Sequence, residues 1–423
     1  MQLDVVTIGD ELLLGFTLDT NGAHLARELA QFGITVARRT SVGDGADEIA
    51  AAVREALDRT GAVITTGGLG PTSDDLTKPS IAALFGRAMQ LDDAIVESLR
   101  QRWKSRGWPG ELPESNKQQA LIPEGAVVLE NRHGSAPGIW LEDERGRWVA
   151  MLPGVPREMR GMLADTLLPR IRERVRARER GEPTVVVSRT IRTTSISESA
   201  LSDRIRTLTD LDFEGLALAY LPGWEGVDLR LTARHVTARD AESRFARVGG
   251  ALRAVAGDHV YGEGSEDLAV SVLAALRAAH KTIAVGESCT GGMLGMRLTA
   301  VPGASDVMLG GVIAYHNDVK MAQLGVHAHT IASHGAVSEE TVREMATGAR
   351  ALIGASVGVG ITGIAGPDGG TGDKPVGTVC IAADVDGTVK SFRVSMVGDR
   401  HEVRQRSAQS ALNLVRRMLA GTA

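Results

Sequence analysis

The sequence predicts a multidomain α/β protein, and three observations lead to that prediction. The chain has 423 residues, which is more than one ordinary domain needs and enough for two or three. Hydrophobic residues make up 43% and charged residues 23%, so there is apolar material for more than one core. Strand-like apolar runs alternate with amphipathic helix-like runs, and the 50 glycines suit tight turns between them.

The first block, over residues 1–172, alternates strand and helix patterns. Residues 3–9 and 62–68 are typical of buried strands, and residues 23–33 are typical of an amphipathic helix that ends at Gly33. Strands separated by helices of this length predict a parallel sheet covered on both faces. Glycine-rich turns follow the strands, where ligands usually bind in open α/β sheets.

Two further domains are predicted beyond a charged stretch that ends in a Gly/Pro break near residue 182. Residues 183–258 show a strand, a helix, two strands and a helix, which predicts a small α+β domain. Residues 263–423 return to alternating strands and helices. In this last block a strand over 281–288 ends in a Ser/Gly turn, and a terminal helix is expected over about 401–419.

Composition argues against several functional classes. The formal net charge of −5 disfavours general nucleic-acid binding. No apolar run approaches the roughly 20 residues that cross a bilayer, and the acidic N-terminus lacks the basic segment of a secretory signal. The two cysteines, Cys289 and Cys380, are too few for a disulfide framework or a structural zinc site. We therefore expect a cytoplasmic protein with no membrane partner.

Glycines and carboxylates follow two predicted strands of the first block. The residues concerned are Asp10 and Glu11 after the first strand, and Gly67, Gly68, Gly70, Asp74 and Asp75 after the strand over 62–68. Consecutive glycine N–H groups suit a phosphate, and paired carboxylates suit a hard divalent cation that activates water. In the alternative interpretation the glycines only shape a turn and the aspartates cap the next helix. Two such clusters on one sheet favour a phosphate-bearing ligand.

These segments resemble the molybdopterin-binding-like domain that opens the CinA family. The matching stretches are GDELLLG (9–15), DTN (19–21), TTGGLGPTSDD (65–75), NRHGSAPG (131–138) and LPGVPREM (152–159). The resemblance implies a three-layer domain that hydrolyses ADP-ribose to AMP and ribose 5-phosphate. It implies a divalent metal (Mg, Mn or Co), with potassium as a further candidate, held by Asp10, Glu11, Asp74 and Asp75. The implied phosphate contacts are Thr66, Gly67, Gly68 and Gly70. Binding of a pterin without catalysis is the alternative, because related cofactor-synthesis proteins share the fold.

A second candidate site lies at the Ser/Gly turn ESCTGG (287–292). A serine on such a turn is exposed, and the N–H groups of Cys289, Thr290 and Gly291 could form an oxyanion hole. The candidate bases are the downstream histidines and Lys320; burial can lower the pKa of a lysine enough to accept a proton, whereas arginine stays charged. In the alternative interpretations Ser288 only caps a helix, or Cys289 is the nucleophile.

This block resembles the nicotinamide mononucleotide amidohydrolase domain that closes CinA proteins. The matching stretches are VGESCTGG (285–292), GGVIAYHNDVK (310–320), HGAVSEE (334–340), GITGIAGPDGG (360–370), KPVGTV (374–379) and GDRHEVRQR (398–406). The resemblance implies an α/β amidohydrolase domain without a cofactor, in which Ser288 attacks the amide, Lys320 is the base and Tyr315 assists Lys320 through its hydroxyl. The candidate substrate contacts are Cys289, Thr290, Gly291, Gly292, Asn317, Thr362, Gly363, Arg400 and Arg404. For the two arginines, a solvated helix face is the alternative.

The middle domain contains LPGWEG (221–226), which matches the GXXG clamp of KH nucleic-acid modules. Its inner residues, Trp224 and Glu225, do not suit a phosphate-facing loop. CinA proteins carry a KH-like module at this place by resemblance, and we expect a spacer or dimer-forming role. The expected partners are nicotinamide mononucleotide, ADP-ribose and a second copy of the chain, without direct nucleic-acid binding. A competence or DNA-damage factor is the rival class.

Overall fold

The computed structural model describes residues 1–178, 182 and 184–422. The chain divides into two compact units, of which the first comprises residues 1–187 and 233–242. The second comprises residues 188–232 and the chain from residue 243 onward. The predicted boundary near residue 182 lies partly outside the described residues.

A mixed six-stranded sheet forms the centre of the first unit. The strands of this unit are β1 (Gln2–Ile8), β2 (Thr35–Val42), β3 (Ala62–Thr66), β4 (Met89–Leu91), β5 (Leu121–Pro123), β6 (Val127–Leu129), β7 (Gly138–Glu142) and β8 (Trp148–Leu152). The order in the large sheet is β2-β1-β3-β8-β7-β6, and β4 and β5 form a separate pair. The first four strands of that order are parallel, as predicted. β7 and β6 add antiparallel pairs that the sequence patterns did not predict.

Helices cover both faces of this sheet. They are α1 (Asp10–Leu13), α2 (Thr20–Ala30), α3 (Ala46–Thr60), α4 (Thr77–Leu84), α5 (Asp93–Ser105), α6 (Pro156–Met162) and α7 (Leu168–Arg178), with a 3₁₀ segment at Glu114–Ala120 and a π segment at Leu163–Leu167. Alternate residues of β1 enter two different cores: Leu3 and Val5 pack with α2 and α6, and Val6 and Ile8 pack with α3 and α4. This alternation gives the three-layer arrangement.

A small sheet with two helices forms the middle domain. Its elements are β9 (Thr184–Thr193), α8 (Glu198–Arg206), β10 (Ala217–Pro222), β11 (Val227–Thr237), α9 (Ala238–Ala256), a 3₁₀ turn at Gly257–His259, and β12 (Val260–Glu263). The sheet order is β10-β11-β9-β12. The segment predicted as a clamp is a hairpin turn between the antiparallel strands β10 and β11, closed by a bond from Gly223 N–H to the Gly226 carbonyl (2.8 Å).

A five-stranded sheet forms the core of the carboxyl-terminal domain. Its strands are β13 (Ile283–Glu287), β14 (Met308–Ile313), β15 (Val357–Gly363), β16 (Thr378–Val385) and β17 (Thr388–Ser395), in the order β14-β13-β15-β16-β17. Its helices are α10 (Leu268–Ala278), α11 (Met293–Thr299), α12 (Asn317–Leu324), α13 (Ala328–His334), α14 (Glu339–Ile353) and α15 (Arg400–Leu419), with a 3₁₀ turn at Ala304–Asp306. β13 is parallel to both of its neighbours, β14 and β15. Its carboxyl end therefore lies between theirs at one edge of the sheet. A capping box of Asp399 and Glu402 starts α15 where the terminal helix was expected.

Candidate active sites

Ser288 sits immediately after β13, on a tightly held turn. Its N–H donates to the carbonyl of Ile361 (2.9 Å), which extends the pairing with β15 by one residue. Its own carbonyl accepts from Gly291 N–H (3.0 Å), and Gly291 and Gly292 both have positive φ. The turn therefore needs these glycines. It places Ser288, 7% exposed, at the carboxyl end of a central strand.

Glu287 occupies the amino-terminal end of α11. This carboxylate is 1% exposed and accepts from the N–H groups of Gly292 (3.1 Å), Leu294 (3.1 Å) and Gly295 (2.8 Å). Gly291 N–H is engaged by Ser288, as described above. In the described chain, the N–H groups of Cys289 and Thr290 donate to no oxygen atom. The predicted oxyanion hole is thus reduced from three donors to these two.

Lys320 is buried beside the serine turn. The side chain is 2% exposed, and Nζ donates to the carbonyl of Tyr315 (3.1 Å). Burial lowers the pKa of Lys320, with an opposing influence from Cys289. Ala314 N–H donates to the Glu287 carbonyl (2.7 Å), and this bond brings the adjacent Tyr315 carbonyl, with the Lys320 amine on it, to the serine turn. The Ser288 hydroxyl forms no hydrogen bond with Lys320 or any other described residue; catalytic hydrogen bonds are often completed only when substrate binds.

Tyr315 contacts its neighbours differently from the prediction. Its hydroxyl accepts from the Arg400 guanidinium (2.9 Å), and only its carbonyl meets Lys320. The expected assistance of Lys320 through the hydroxyl therefore has no support in the geometry. The side chain is 60% exposed, so the Tyr315–Arg400 pair faces solvent at the edge of the site.

The two predicted arginines lie at this site, with different tasks. Arg404 donates from Nε (3.3 Å) and from the guanidinium end (2.8 Å) to the Thr290 carbonyl, so it braces the serine turn. Arg400 donates to the Gly366 carbonyl (2.5 Å) as well as to Tyr315. The other predicted contacts are distributed around the turn: Asn317 begins α12, Gly363 ends β15, and the buried Thr362 hydroxyl donates to the Ala336 carbonyl (2.8 Å).

The competing nucleophile and bases are less well placed. Cys289 is 5% exposed, and burial raises the pKa of its thiol to about 12, so the thiolate is not available near neutral pH. His316 caps α12, while His327 and His334 face Glu344 and Glu340. His329 contacts Ser333.

The glycine-rich turn of the first unit lines a cavity of about 470 Å³ at the carboxyl ends of β1, β3 and β8. Gly67 is required there, because a Cβ would lie 2.1 Å from the carbonyl oxygen of Ile8 at φ +115°. Gly68 and Gly70 line the same cavity. Thr66 does not: its buried hydroxyl donates to the Pro153 carbonyl (2.9 Å) and accepts from Asn21 (3.1 Å), so it ties strand ends together.

The four predicted metal ligands do not converge on one point. Asp10 is exposed outside the cavity and accepts from the N–H of Asp44 (3.2 Å). Asp75 braces the turn, because its carboxylate accepts from Gly70 N–H (2.6 Å) and from Thr72 N–H (2.8 Å). Within residues 1–178, 182 and 184–422, no group of three or more His, Cys, Asp or Glu is arranged to hold a metal ion.

Glu11 and Asp74 are the two predicted ligands that line the cavity without such a structural task. Asp74 is exposed, and a carboxylate in water is ionised at neutral pH. Mg²⁺ is commonly bound by one or two carboxylates together with substrate phosphates. Of the four predicted ligands, Glu11 and Asp74 are therefore the two that could hold a metal together with the phosphate oxygens of a ligand.

Family models match three consecutive stretches of the chain. A "Probable molybdopterin binding domain" matches residues 4–173, the "Damage-inducible protein CinA KH domain" residues 188–262, and the "CinA C-terminal domain" residues 265–419. A CinA-like protein of Gemmatimonas aurantiaca is 58% identical over 420 residues, which are 99% of this chain and 97% of that protein. The chain belongs to the CinA family.

Other CinA relatives extend the same similarity. A CinA-like protein of Frankia casuarinae is 44% identical over 427 residues, covering 100% of this chain and 97% of its own length. The solved competence/damage inducible protein CihA from Agrobacterium tumefaciens is 36% identical, with a TM-score of 0.34, and covers 35% of this chain and 90% of its own. The three-domain fold class is confirmed. In the described part of this CinA chain, no helix is both long and apolar enough to cross a membrane.

Two buried charged residues of this CinA protein that lie at the candidate sites, Glu287 and Lys78, were not predicted from the sequence. The sequence did contain one signal for Glu287, because this carboxylate directly precedes the turn that begins a helix. Lys78, one of only seven lysines, is 3% exposed, and its Nζ donates to the carbonyls of Gln118 (2.5 Å) and Gln119 (3.1 Å). Burial lowers the pKa of Lys78 to about 8. Gln119 lines the glycine-rich cavity, so Lys78 fixes a wall of that cavity.

Proposed function

We propose that the carboxyl-terminal domain hydrolyses the carboxamide of nicotinamide mononucleotide to nicotinate mononucleotide and ammonia. The observation that carries this proposal is the buried lysine beside the serine turn, because burial makes the neutral amine of Lys320 accessible. The N–H groups of Cys289 and Thr290, which donate to no oxygen atom of the described residues, are candidates for the oxyanion donors that amide hydrolysis needs.

The geometry supports the following sequence of steps. The Ser288 hydroxyl passes its proton to the Lys320 amine while Oγ bonds to the carboxamide carbon. The N–H groups of Cys289 and Thr290 hold the developing oxyanion. Lys320 then protonates the leaving nitrogen, which departs as ammonia when the carbon–nitrogen bond breaks. Water attacks the resulting ester with Lys320 again as base, releasing the acid and Ser288.

Ammonia release from nicotinamide mononucleotide by the full-length protein, with a chelator present, tests this proposal. We expect the wild type to be active and Ser288→Ala to be at least about a thousandfold slower, because covalent catalysis is lost. Cys289→Ala is the matched control and should keep the rate within about threefold, since the buried thiol is protonated. An active Ser288→Ala protein or an inactive wild type would refute the proposal.

We propose a second activity for the amino-terminal domain, hydrolysis of ADP-ribose to AMP and ribose 5-phosphate with a divalent metal (Mg, Mn or Co). The observation that favours it is the glycine-lined cavity in which Glu11 and Asp74 remain available. When bound, the metal would neutralise phosphate charge and activate water. The chain's own part is to place backbone N–H groups and these two carboxylates around the diphosphate.

AMP formation from ADP-ribose with added Mg²⁺, Mn²⁺ or Co²⁺ tests the second activity. We expect Glu11→Gln and Asp74→Asn each to lower the rate about tenfold to a thousandfold, because each removes a metal ligand. Asp58→Asn, a surface carboxylate of the same unit, is the control with an unchanged rate. Tight ADP-ribose binding without AMP formation by any metal form would leave the domain a binding module and contradict the proposal.

A further inference from the structure

A cavity of about 510 Å³ lies in the second unit, between the KH-like module and the CinA C-terminal domain. Residues 194–197 and 222–227 line it from the module, and residues 394–397 line it from the end of β17. Helix α15 adds Arg406, Gln409 and Ser410. Its volume is in the range of small-molecule sites, roughly 300–1,000 Å³. None of the residues assigned to the Ser288 site lines this cavity.

Arg406 is the charged group of this cavity that lacks a partner. Its guanidinium forms no hydrogen bond or ion pair with the described residues, and its Nε is buried. The other four arginines of α15 all donate to oxygen atoms of the chain; they are Arg400, Arg404, Arg416 and Arg417. Because a buried donor without an acceptor is unfavourable, Nε of the half-buried Arg406 is open to an acceptor from outside the chain. Phosphate and carboxylate oxygens match a guanidinium best.

The surroundings of Arg406 also favour an anion. Ser197 caps the nine-residue helix α8, so the positive end of that helix lies at the cavity wall. Hydroxyl groups of Ser195 and Ser410 are further polar lining groups. Glu225 is the one acidic side chain among the lining residues, and it is paired with Arg192. The unpaired charge of the lining is therefore positive.

The remaining feature of the cavity is an aromatic ring. Trp224 is half-buried and lines the cavity, and the Arg297 guanidinium lies 5.4 Å from its ring centroid. Trp224 and the unpaired Arg406 line the same cavity, so together they offer a stacking surface for a planar base and a contact for a phosphate. We propose that this cavity binds a mononucleotide, with its phosphate on Arg406 and its base against Trp224.

Fluorine NMR of the full-length protein labelled with 5-fluorotryptophan tests this proposal. Trp224 is the only tryptophan after Trp148, and the Trp224→Phe variant assigns its signal among five. Arg297 belongs to α11, which follows the Ser288 turn, so a shift of the Trp224 signal counts for this cavity only if it depends on Arg406, which lines the cavity and not the Ser288 site. AMP is the probe, and we expect a saturable shift of the Trp224 signal.

The decisive comparison uses arginine variants of one helix. Arg406→Gln should weaken AMP binding about tenfold or more, since a charge-assisted contact is lost. Arg417 is exposed on α15 and donates to the Thr422 carbonyl, outside the cavity lining, so Arg417→Gln should bind AMP as the wild type does. Because Arg406 has no partner in the described chain, its replacement should leave the melting temperature unchanged.

Three results would overturn the proposal. They are a Trp224 signal that AMP does not move, an Arg406→Gln protein with wild-type affinity, and equal affinity for AMP and inorganic phosphate. The last result would show that the ring contributes nothing and that the site takes a simple anion only.

Discussion

Replacing Lys320 by arginine is expected to slow ammonia release from nicotinamide mononucleotide by about a hundredfold to ten-thousandfold, the usual contribution of a general base. The reason is protonation: burial lowers the pKa of Lys320, whereas a guanidinium stays charged at every working pH. The rate of the wild type should also increase as pH rises. As pH rises towards the lowered pKa of Lys320, the fraction of neutral amine and the rate both increase.

The matched control for this variant is Lys281→Arg. Lys281 belongs to the same domain but forms a surface ion pair with Asp386, which arginine can also make. We expect its rate and pH profile to equal those of the wild type. The measurement is ammonia release between about pH 6 and pH 10, with circular dichroism as a check of folding. A folded Lys320→Arg protein with the wild-type rate would eliminate Lys320 as the base.

Replacing Glu287 by glutamine is expected to lower the free energy of unfolding by about 1.5–3 kcal/mol and kcat by about ten- to a hundredfold. The carboxylate accepts from three N–H groups at the start of α11, those of Gly292, Leu294 and Gly295, whereas an amide has one acceptor oxygen and its NH2 group would face donors. The Ser288 turn would loosen as a result. Because Glu287 acts by positioning, KM should change much less than kcat.

A second helix cap separates this effect from general loss of stability. Ser338 caps α14 by accepting from Thr341 N–H (3.2 Å), outside the catalytic machinery. Ser338→Ala should therefore lower the free energy of unfolding by about 1 kcal/mol and leave kcat unchanged. The measurements are urea unfolding and steady-state kinetics. If both variants lost kcat in proportion to their stability, a positioning role for Glu287 would be rejected.

The sequence patterns predicted much of this molecule because they are local. Continuous apolar runs located β1, β3 and β13, and a serine after an apolar strand located the turn at Ser288. Burial of Lys320 was expected from chemistry, and the structure confirms the burial. The direction of each side chain at a strand end was beyond these patterns, so Asp10 and Thr66 were assigned to a site that they do not line.

Other interactions could not be predicted because the side chains bond to backbone atoms far away in the sequence. Arg404 meets the Thr290 carbonyl across 114 positions, and Lys78 meets the Gln118 carbonyl across 40. Hydrophobic periodicity does not predict such pairs, because any arginine or lysine on a polar face could form them. The antiparallel strands β6 and β7 were missed because β6 is only three residues long.

The bond from Arg404 to the serine turn has a consequence for how the protein folds. Contacts across such long stretches of chain close late, because the loop entropy must be overcome before they form. The strand that presents Ser288 can thus pair with its neighbours before α15 docks and fixes the turn. If the domain has the proposed activity, that activity belongs to the completed domain, and a partly folded chain would carry Ser288 without yet being able to use it.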